Sequence, residues 1–341
     1  MVDRKNQENS GFSDAQWAAR LSIAPMMDWT DRHCRYFHRL MSRNTLLYTE
    51  MVTAPALVRG DARHLLQFEP AEHPVAVQLG GSDPKELAAA ARMAADEGYD
   101  EINLNIGCPS DRVQSGCFGA VLMQQPDLVA ECVSAMMAAQ PVEVTVKCRI
   151  GVDDQDPSQI LPAFIEKMQS AGIRRMAIHA RKAWLSGLSP KENRDIPPLD
   201  YPLVYDMKKQ FPDMHLSING GVGSLTEAKA HLEAGMDGVM IGRSAYHTPG
   251  DILLDADRQI FDELNPVGDP FEVVELMKPY IATHLANGGR LNQISRHMLG
   301  LFAGCPGARG WRRILSEQGQ GPNADLSVLD LALAPVRALA A

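Results

Sequence analysis

The sequence predicts an α/β protein, an eight-stranded parallel (β/α)8 barrel of the TIM type followed by an all-helical domain. Eight strand-like runs alternate with helix-like intervals before Gly250. Such alternation means parallel pairing through right-handed crossovers. The eight units fill roughly 230 residues, close to the about 250 typical of this barrel. After Gly250 the strand signals stop and helical patterns take over. A doubly wound parallel sheet is the alternative, differing in strand order, which spacing does not reveal.

The strand-like runs are residues 21–24, 46–49, 75–79, 101–105, 142–147, 175–179, 215–219 and 238–241. Between the third and fourth, residues 84–97 have helical composition, with Ser82 or Asp83 as N-cap, Pro84 in the first turn and Gly98 as the stop. Residues 127–139, 157–171 and 225–233 repeat this grammar before the fifth, sixth and eighth strands. Residues 252–264 read as one helix and 265–270 as a turn-rich linker. Four further helices are expected over 271–287, 291–302, 310–317 and 326–340. The predicted organisation is a disordered tail over 1–20, a barrel over 21–264 and a helical domain over 265–341.

Composition is that of an ordinary globular protein, at 45% hydrophobic and 22% charged. The polar N-terminus has neither the apolar core of a signal peptide nor the Arg-rich character of a transit peptide. No run is long and apolar enough for a membrane helix, so a cytoplasmic location is expected. The six cysteines form no C-x-x-C pair and no zinc-like spacing, so neither a metal nor a disulfide framework is expected. A net charge of -9 argues against nucleic acid unless the basic residues cluster.

In this fold the residues after each strand share one face, where chemistry is done. The fourth run, with Ile102 and Leu104 alternating with Asn103 and Asn105, breaks at Gly107-Cys108-Pro109 and leaves a thiol at the strand end. A small buried hydrophobe in a turn is the other reading of Cys108. The seventh strand ends in Asn219-Gly220-Gly221 and the eighth in Gly242-Arg243. Glycine loops after strands seven and eight form the usual phosphate site of the fold, which implies a phosphate-bearing ligand over the reading of mere tight turns. Lys147 and Arg149 end the fifth strand and His179 and Arg181 the sixth. Spacing of two puts each pair on one side of its strand. Such cations favour an anionic, electron-accepting ring. Gln78 ends the third strand with an amide that donates and accepts. Pro25, Met26 and Met27 end the first with apolar surface for a flat ring, with plain core as the other reading of the methionines.

The segments APMMDWTDRHCRYFHRL, PVAVQLGGSDP, YDEINLNIGCPSDRVQ, VKCRIGVDDQD, IHARKAWLSGLSPKENRDIPPLDY, SINGG and GLFAGCPGARGWRR resemble the tRNA-dihydrouridine synthases, specifically the bacterial A-type. The resemblance implies a flavin-binding barrel with a helical tRNA-binding domain. It implies FMN held by Pro25, Met26, Met27, Gln78, Lys147, His179, Asn219, Gly220, Gly221, Gly242 and Arg243, with NADPH as reductant. The implied reaction is reduction of the uracil 5,6 double bond to dihydrouridine in the tRNA D-loop, at position 20 and also 20a. Hydride would go from the flavin to C6 and a proton from Cys108 to C5. A thiol is largely protonated at neutral pH and so suits an acid. Asn105 is implied to position a base extruded from the tRNA. Many relatives carry a second cysteine where this chain has Val121; here one stands at Cys117 instead, which favours Cys108 and leaves Cys117 a bystander.

Between Lys278 and Arg313 the chain has Arg290, Arg296, His297, Arg309, Arg312 and Arg313 and no Asp or Glu. Phosphate contacts need such clusters rather than a basic total, a solvated helix face being the alternative; Trp311 reads as core or as packing on RNA. Arg181, Lys191 and Arg194 in the loop after the sixth strand complete the expected tRNA contacts, and a monomer is expected. Two other functions compete: an ene reductase of small molecules on the same barrel, and an RNA-binding protein with a vestigial site. The basic helical appendix argues against the first and the full set of site residues against the second.

Overall fold

The computed structural model describes residues 17–110 and 116–340. Residues 1–16, most of the expected tail, and 111–115, in the loop that follows Cys108, lie outside the described residues. Eight strands close into one barrel in sequence order. They are β1 (Leu21–Ile23), β2 (Leu46–Thr53), β3 (Val75–Gly80), β4 (Glu101–Ile106), β5 (Glu143–Arg149), β6 (Arg175–His179), β7 (His215–Asn219) and β8 (Gly238–Ile241). All are parallel, and β8 pairs with β1, Ser22 opposite Met240. That closing pair excludes the doubly wound sheet.

The helices of the barrel are α1 (Arg32–Met41), α2 (Ala54–Arg59), α3 (Pro84–Glu97), α4 (Pro126–Ala139), α5 (Pro157–Ser170), α6 (Tyr201–Gln210) and α7 (Leu225–Glu233). Their starts are chemically specified. Asp83 accepts from the amides of Lys85 and Glu86, Asp156 from Ser158, Asp200 from Leu203 and Ser224 from Glu227; a cap of this kind contributes about 1 kcal/mol. Gly98 ends α3 at a φ of 95°, a left-handed conformation in which a side chain is strained. Leu87, Ala90, Ala91 and Ala94 recur at helical spacing and bury the inner face of α3.

Four parts of the sequence reading need correction. Residues 17–20 are not tail: Ala18 and Ala19 are buried, Trp17 meets Phe261 edge-on, and the Arg20 carbonyl accepts from the Val239 amide at 3.0 Å, so this stretch closes the start of the barrel. The single helix over 252–264 is instead the end of α9 (Pro249–Leu253) and α10 (Ala256–Ile260), with α8 (Arg243–His247) before them. Asp255 interrupts it by taking hydrogen bonds from Arg258 and Asn265, and such side-chain bonding competes with helix continuation. The second helix of the appendix, α12 (Leu291–Met298), stops short of Phe302. Finally, α1, α2, α6 and α8 stand where the sequence analysis names no helix. The sequence of α1 reads as polar, yet Arg35 is buried on Glu72 at 2.6 Å and Arg39 donates to the carbonyls of Ser42, Thr45, Glu72 and Pro74.

The remaining helices are α11 (Pro270–Ala286), α13 (Ala308–Gln318) and α14 (Ser327–Ala340). Trp311 of α13 is fully buried, edge-on to Phe302, with its indole N–H on the Met298 carbonyl at 3.0 Å. It is core, and its ring does not face solvent. The appendix seats on α1. Tyr280 stacks on Tyr36 with ring centroids 4.0 Å apart, and its hydroxyl meets His33 Nδ1 at 2.7 Å. Asp31 joins Arg296 at 2.6 Å and His297 at 3.0 Å. These partners hold the Asp31 carboxyl well below the usual range against the opposing effect of burial.

Candidate active site

The period of two along β4 sends Asn103 and Asn105 to the inside of the barrel, both buried. Asn105 Oδ1 accepts from the amides of Gly107 at 3.1 Å and Cys108 at 3.0 Å. The break after β4 is therefore an Asx-type turn built on Asn105. It lifts the half-buried Cys108 to the strand's end, where its thiol sits 3.5 Å from Ser110 Oγ. Across the loop, the Cys108 carbonyl accepts from the Ala120 amide at 2.9 Å. Asn105 Nδ2 donates to Gln78 Oε1 at 2.7 Å, which ties the turn to the end of β3.

Arg149, the last residue of β5, ties the loop after β4 to the loop after β6. Its Nε donates to the Gly107 carbonyl at 3.0 Å, and Nη1 to the carbonyls of Lys182 at 3.0 Å and Asn193 at 2.9 Å. Asn193, fully buried, in turn holds the loop after β6 by bonding Trp184 through both its amide oxygen and nitrogen. Arg149 appears in the sequence only as a strand-end cation and Asn193 as one polar residue among many. The signal that could have found Arg149 is its period-two spacing from Lys147.

Lys147 reaches Asn219 Oδ1 at 3.1 Å, while Asn219 Nδ2 donates to the Met240 carbonyl at 2.8 Å. Burial first, and then the neighbouring Arg149, lower the Lys147 pKa to about 8. Burial lowers Arg149 to about 10, opposed by Cys108 and assisted by Arg194 and Arg181. His179 is pushed well below its ordinary value by burial and then by Arg149, Lys147, Arg181 and Arg194. Its Nδ1 is buried with no hydrogen-bond partner among the described residues. Arg243 pairs with Asp195 at 2.8 Å at the edge of this group. A wall of mutually repelling cations beside an unmatched imidazole nitrogen is the electrostatics of an anion site.

The other expected residues surround it. Pro25 and Met26 are half-buried, but Met27 is 54% exposed and so is not core. Gly220 and Gly221 have φ of 109° and 76°. A Cβ on Gly221 would stand 2.6 Å from Leu199 and 2.8 Å from the Tyr201 hydroxyl, so only glycine fits this turn. That hydroxyl donates to the Gly220 carbonyl at 2.6 Å. A Cβ on Gly242 would meet nothing closer than Ala24 and Met26 at 3.7 Å, which leaves room over that backbone.

The expected tRNA contacts are more scattered. Arg181 donates to the Pro197 carbonyl within its own loop, Arg194 and Lys191 are exposed, and Arg296 is engaged by Asp31. Arg290, Arg309, Arg312 and Arg313 are exposed on the helical appendix, away from the barrel mouth in sequence. Among the described residues no group of His, Cys, Asp or Glu could hold a metal ion, and no helix is long and apolar enough to cross a membrane.

Residues 22–334 match the family model described as dihydrouridine synthase. The chain is 59% identical over 322 residues to the tRNA-dihydrouridine(20/20a) synthase of Escherichia coli K12, covering 94% of this chain and 92% of that protein. It is 57% identical over 320 residues to the protein of the same name from Vibrio cholerae, covering 94% and 97%. Among solved structures, an old yellow enzyme homologue from Zymomonas mobilis superposes with a TM-score of 0.51 at 14% identity, covering 74% of this chain and 91% of the other. That likeness concerns the fold alone.

Proposed function

The chain belongs to the dihydrouridine synthase family, an oxidoreductase family, and from that premise we propose that it reduces uridine to 5,6-dihydrouridine in the D-loop of tRNA, at positions 20 and 20a. Relatives of 57–59% identity named for that activity support the choice of substrate. The observation that carries the reading is the Cys108 thiol, seated by Asn105 beside a cation cluster whose His179 Nδ1 lacks a partner among the described residues.

The residues at the mouth fit flavin mononucleotide. The open backbone at Gly242, the left-handed Gly220-Gly221 turn and Arg243 suit its phosphate. Pro25, Met26 and the exposed Met27 would flank the ring, with Gln78, Lys147, His179 and Asn219 along its polar edge. When bound there, after reduction by NADPH, the flavin supplies the hydride that adds to C6 of the uracil. Cys108 delivers the proton to C5 and recovers it from solvent. Lys147, kept cationic below about pH 8, stabilises negative charge on the reduced ring. Asn105 has spent its oxygen on the loop, so its second N–H is what it has to offer a uracil carbonyl. The exposed Arg290, Arg309, Arg312 and Arg313, with Lys191 and Arg194, would hold tRNA phosphates while the nucleotide is extruded into the barrel.

Cys108→Ala tests the chemistry. The variant should bind FMN and tRNA within about twofold of wild type, yet form dihydrouridine about 10²- to 10⁴-fold more slowly, the usual worth of a positioned acid. Unchanged turnover would remove Cys108 from the reaction.

A further inference from the structure

A single file of side chains runs inside the barrel from its floor to the Cys108 turn. At the floor, Glu101 of β4 is fully buried and receives Arg175 Nη2 on Oε2 at 2.6 Å and the Tyr48 hydroxyl on Oε1 at 2.5 Å. The Thr145 hydroxyl also donates to Oε1. Asn103 Nδ2 then donates to Thr145 Oγ1 at 2.8 Å, and Gln78 Nε2 to Asn103 Oδ1 at 2.8 Å. Asn105 Nδ2 donates to Gln78 Oε1 at 2.7 Å, and Asn105 Oδ1 receives the Gly107 and Cys108 amides. Glu101, Asn103, Thr145, Gln78 and Asn105 are all buried, so no water competes for these bonds.

The direction of this file follows from its ends. A carboxylate facing three donors is an acceptor only. Thr145 has one hydroxyl proton, and once that goes to Glu101 its oxygen must accept from Asn103. That turns the Asn103 oxygen toward Gln78, the Gln78 oxygen toward Asn105, and the Asn105 oxygen toward the loop. The other end demands the same orientation, because the backbone amides of Gly107 and Cys108 can only donate. Three amides, each with two orientations available, are thus set in agreement by the carboxylate at one end and the backbone amides at the other. Register supports the geometry: Gln78 lies beside Asn103, and Asn103 beside Thr145, on adjacent strands.

We propose that Thr145, with Asn103 and the Glu101–Arg175 pair behind it, is a positioning residue that fixes the orientation of the Gln78 and Asn105 amides and thereby the seat of Cys108. The effect on turnover rests on the reading of Cys108 as proton donor; the effect on the loop does not. Thr145 lies two links below the nearest side chain assigned to flavin or base, and acts through the others.

The test compares Thr145→Val, which removes the hydroxyl at constant shape, with Thr145→Ser, which restores it. Tyr48→Phe removes a different donor to the same Glu101 oxygen and leaves the file intact. The first readout needs no substrate: the rate at which iodoacetamide alkylates Cys108, followed on its own peptide by mass spectrometry. Loss of the hydroxyl should loosen the Asn105 turn and raise that rate about threefold or more, with Thr145→Ser and Tyr48→Phe within about twofold of wild type. The second readout is turnover on tRNA. Thr145→Val should lose roughly tenfold in kcat, about 1.4 kcal/mol, at unchanged KM, and Thr145→Ser should recover it. Should Thr145→Val not fold, Asn103→Leu breaks the next link and carries the same expectations. Wild-type alkylation in the folded break variant, equal changes in Tyr48→Phe, or no rescue by serine would each overturn the proposal. If the wild-type protein itself leaves tRNA unchanged, the proposed function fails while the alkylation rates still decide this one.

Discussion

The floor and the mouth of the barrel treat charge in opposite ways. At the floor, Arg175 sits against Glu101 at 2.6 Å and Glu143 at 2.9 Å, and these acids hold the guanidinium charged in spite of its burial. At the mouth, burial lowers Lys147, Arg149 and His179, Arg149 adds to the effect on Lys147 and His179, and Arg181 and Arg194 add to that on Arg149 and His179, while the ion pair at the edge is that of Arg243 with Asp195. Balanced buried charge belongs to the fold. Unbalanced buried charge costs stability unless a ligand completes it, so the imbalance marks where an anion is received. The file of amides joins the two regions, carrying the fixed polarity of the floor to the turn that seats Cys108.

The comparison breaks if the floor proves dispensable. Arg175→Met strands Glu101 without its cation, and removing one partner of a buried pair costs about 3–5 kcal/mol. Urea unfolding should register that loss; a midpoint equal to wild type would mean that the floor charges are not coupled as described. At the mouth, the sign of the Lys147 shift sets a pH profile. The amine is protonated below about 8 and loses its charge as pH rises through that value, and a bound anionic flavin moves the limb upward. Wild-type turnover should therefore fall on the alkaline side, at or above about pH 8. Lys147→Met should be about ten- to hundredfold slower at neutral pH, the worth of one charge-assisted hydrogen bond, and should lack that limb. Retention of the limb would assign it to another group. The smallest effect is expected farthest from the barrel. Replacing Arg309 and Arg312 by Gln should weaken tRNA binding and lower the slope of log affinity against log salt by about one per residue. An unchanged slope would make these arginines a solvated face.

The barrel was legible because its punctuation is local: Asp83 and Pro84 open a helix, Gly98 closes it, and the period changes between them. The end of β4 was legible for the same reason, since a strand that stops at Gly-Cys-Pro announces its own end, whereas the part given to Asn105 came only from the resemblance. Side chains that act across strands were not legible. Nothing adjacent to Thr145, Arg149 or Arg175 in sequence names its partner, because Arg149 bridges the loops after β4 and β6 and the Arg175 pair depends on which strands are neighbours in the closed sheet. The helix Arg32–Met41 has no such local signal, because what seats Arg35 and Arg39 inside is Glu72 and a ring of carbonyls more than thirty residues away or past the helix end. The division at Leu264 placed α8, α9 and α10 with the barrel but merged the last two, since the competing bonds of Asp255 come from residues up to ten positions on.

The most direct measurement supplies the purified protein with FMN, NADPH and tRNA from cells that lack it, then maps dihydrouridine along the tRNA. Dihydrouridine appearing at positions 20 and 20a, and absent when NADPH is withheld, is the predicted result. tRNA that stays unmodified at those positions while a small enone or free orotate is turned over would contradict the account and transfer the same barrel to small-molecule reduction.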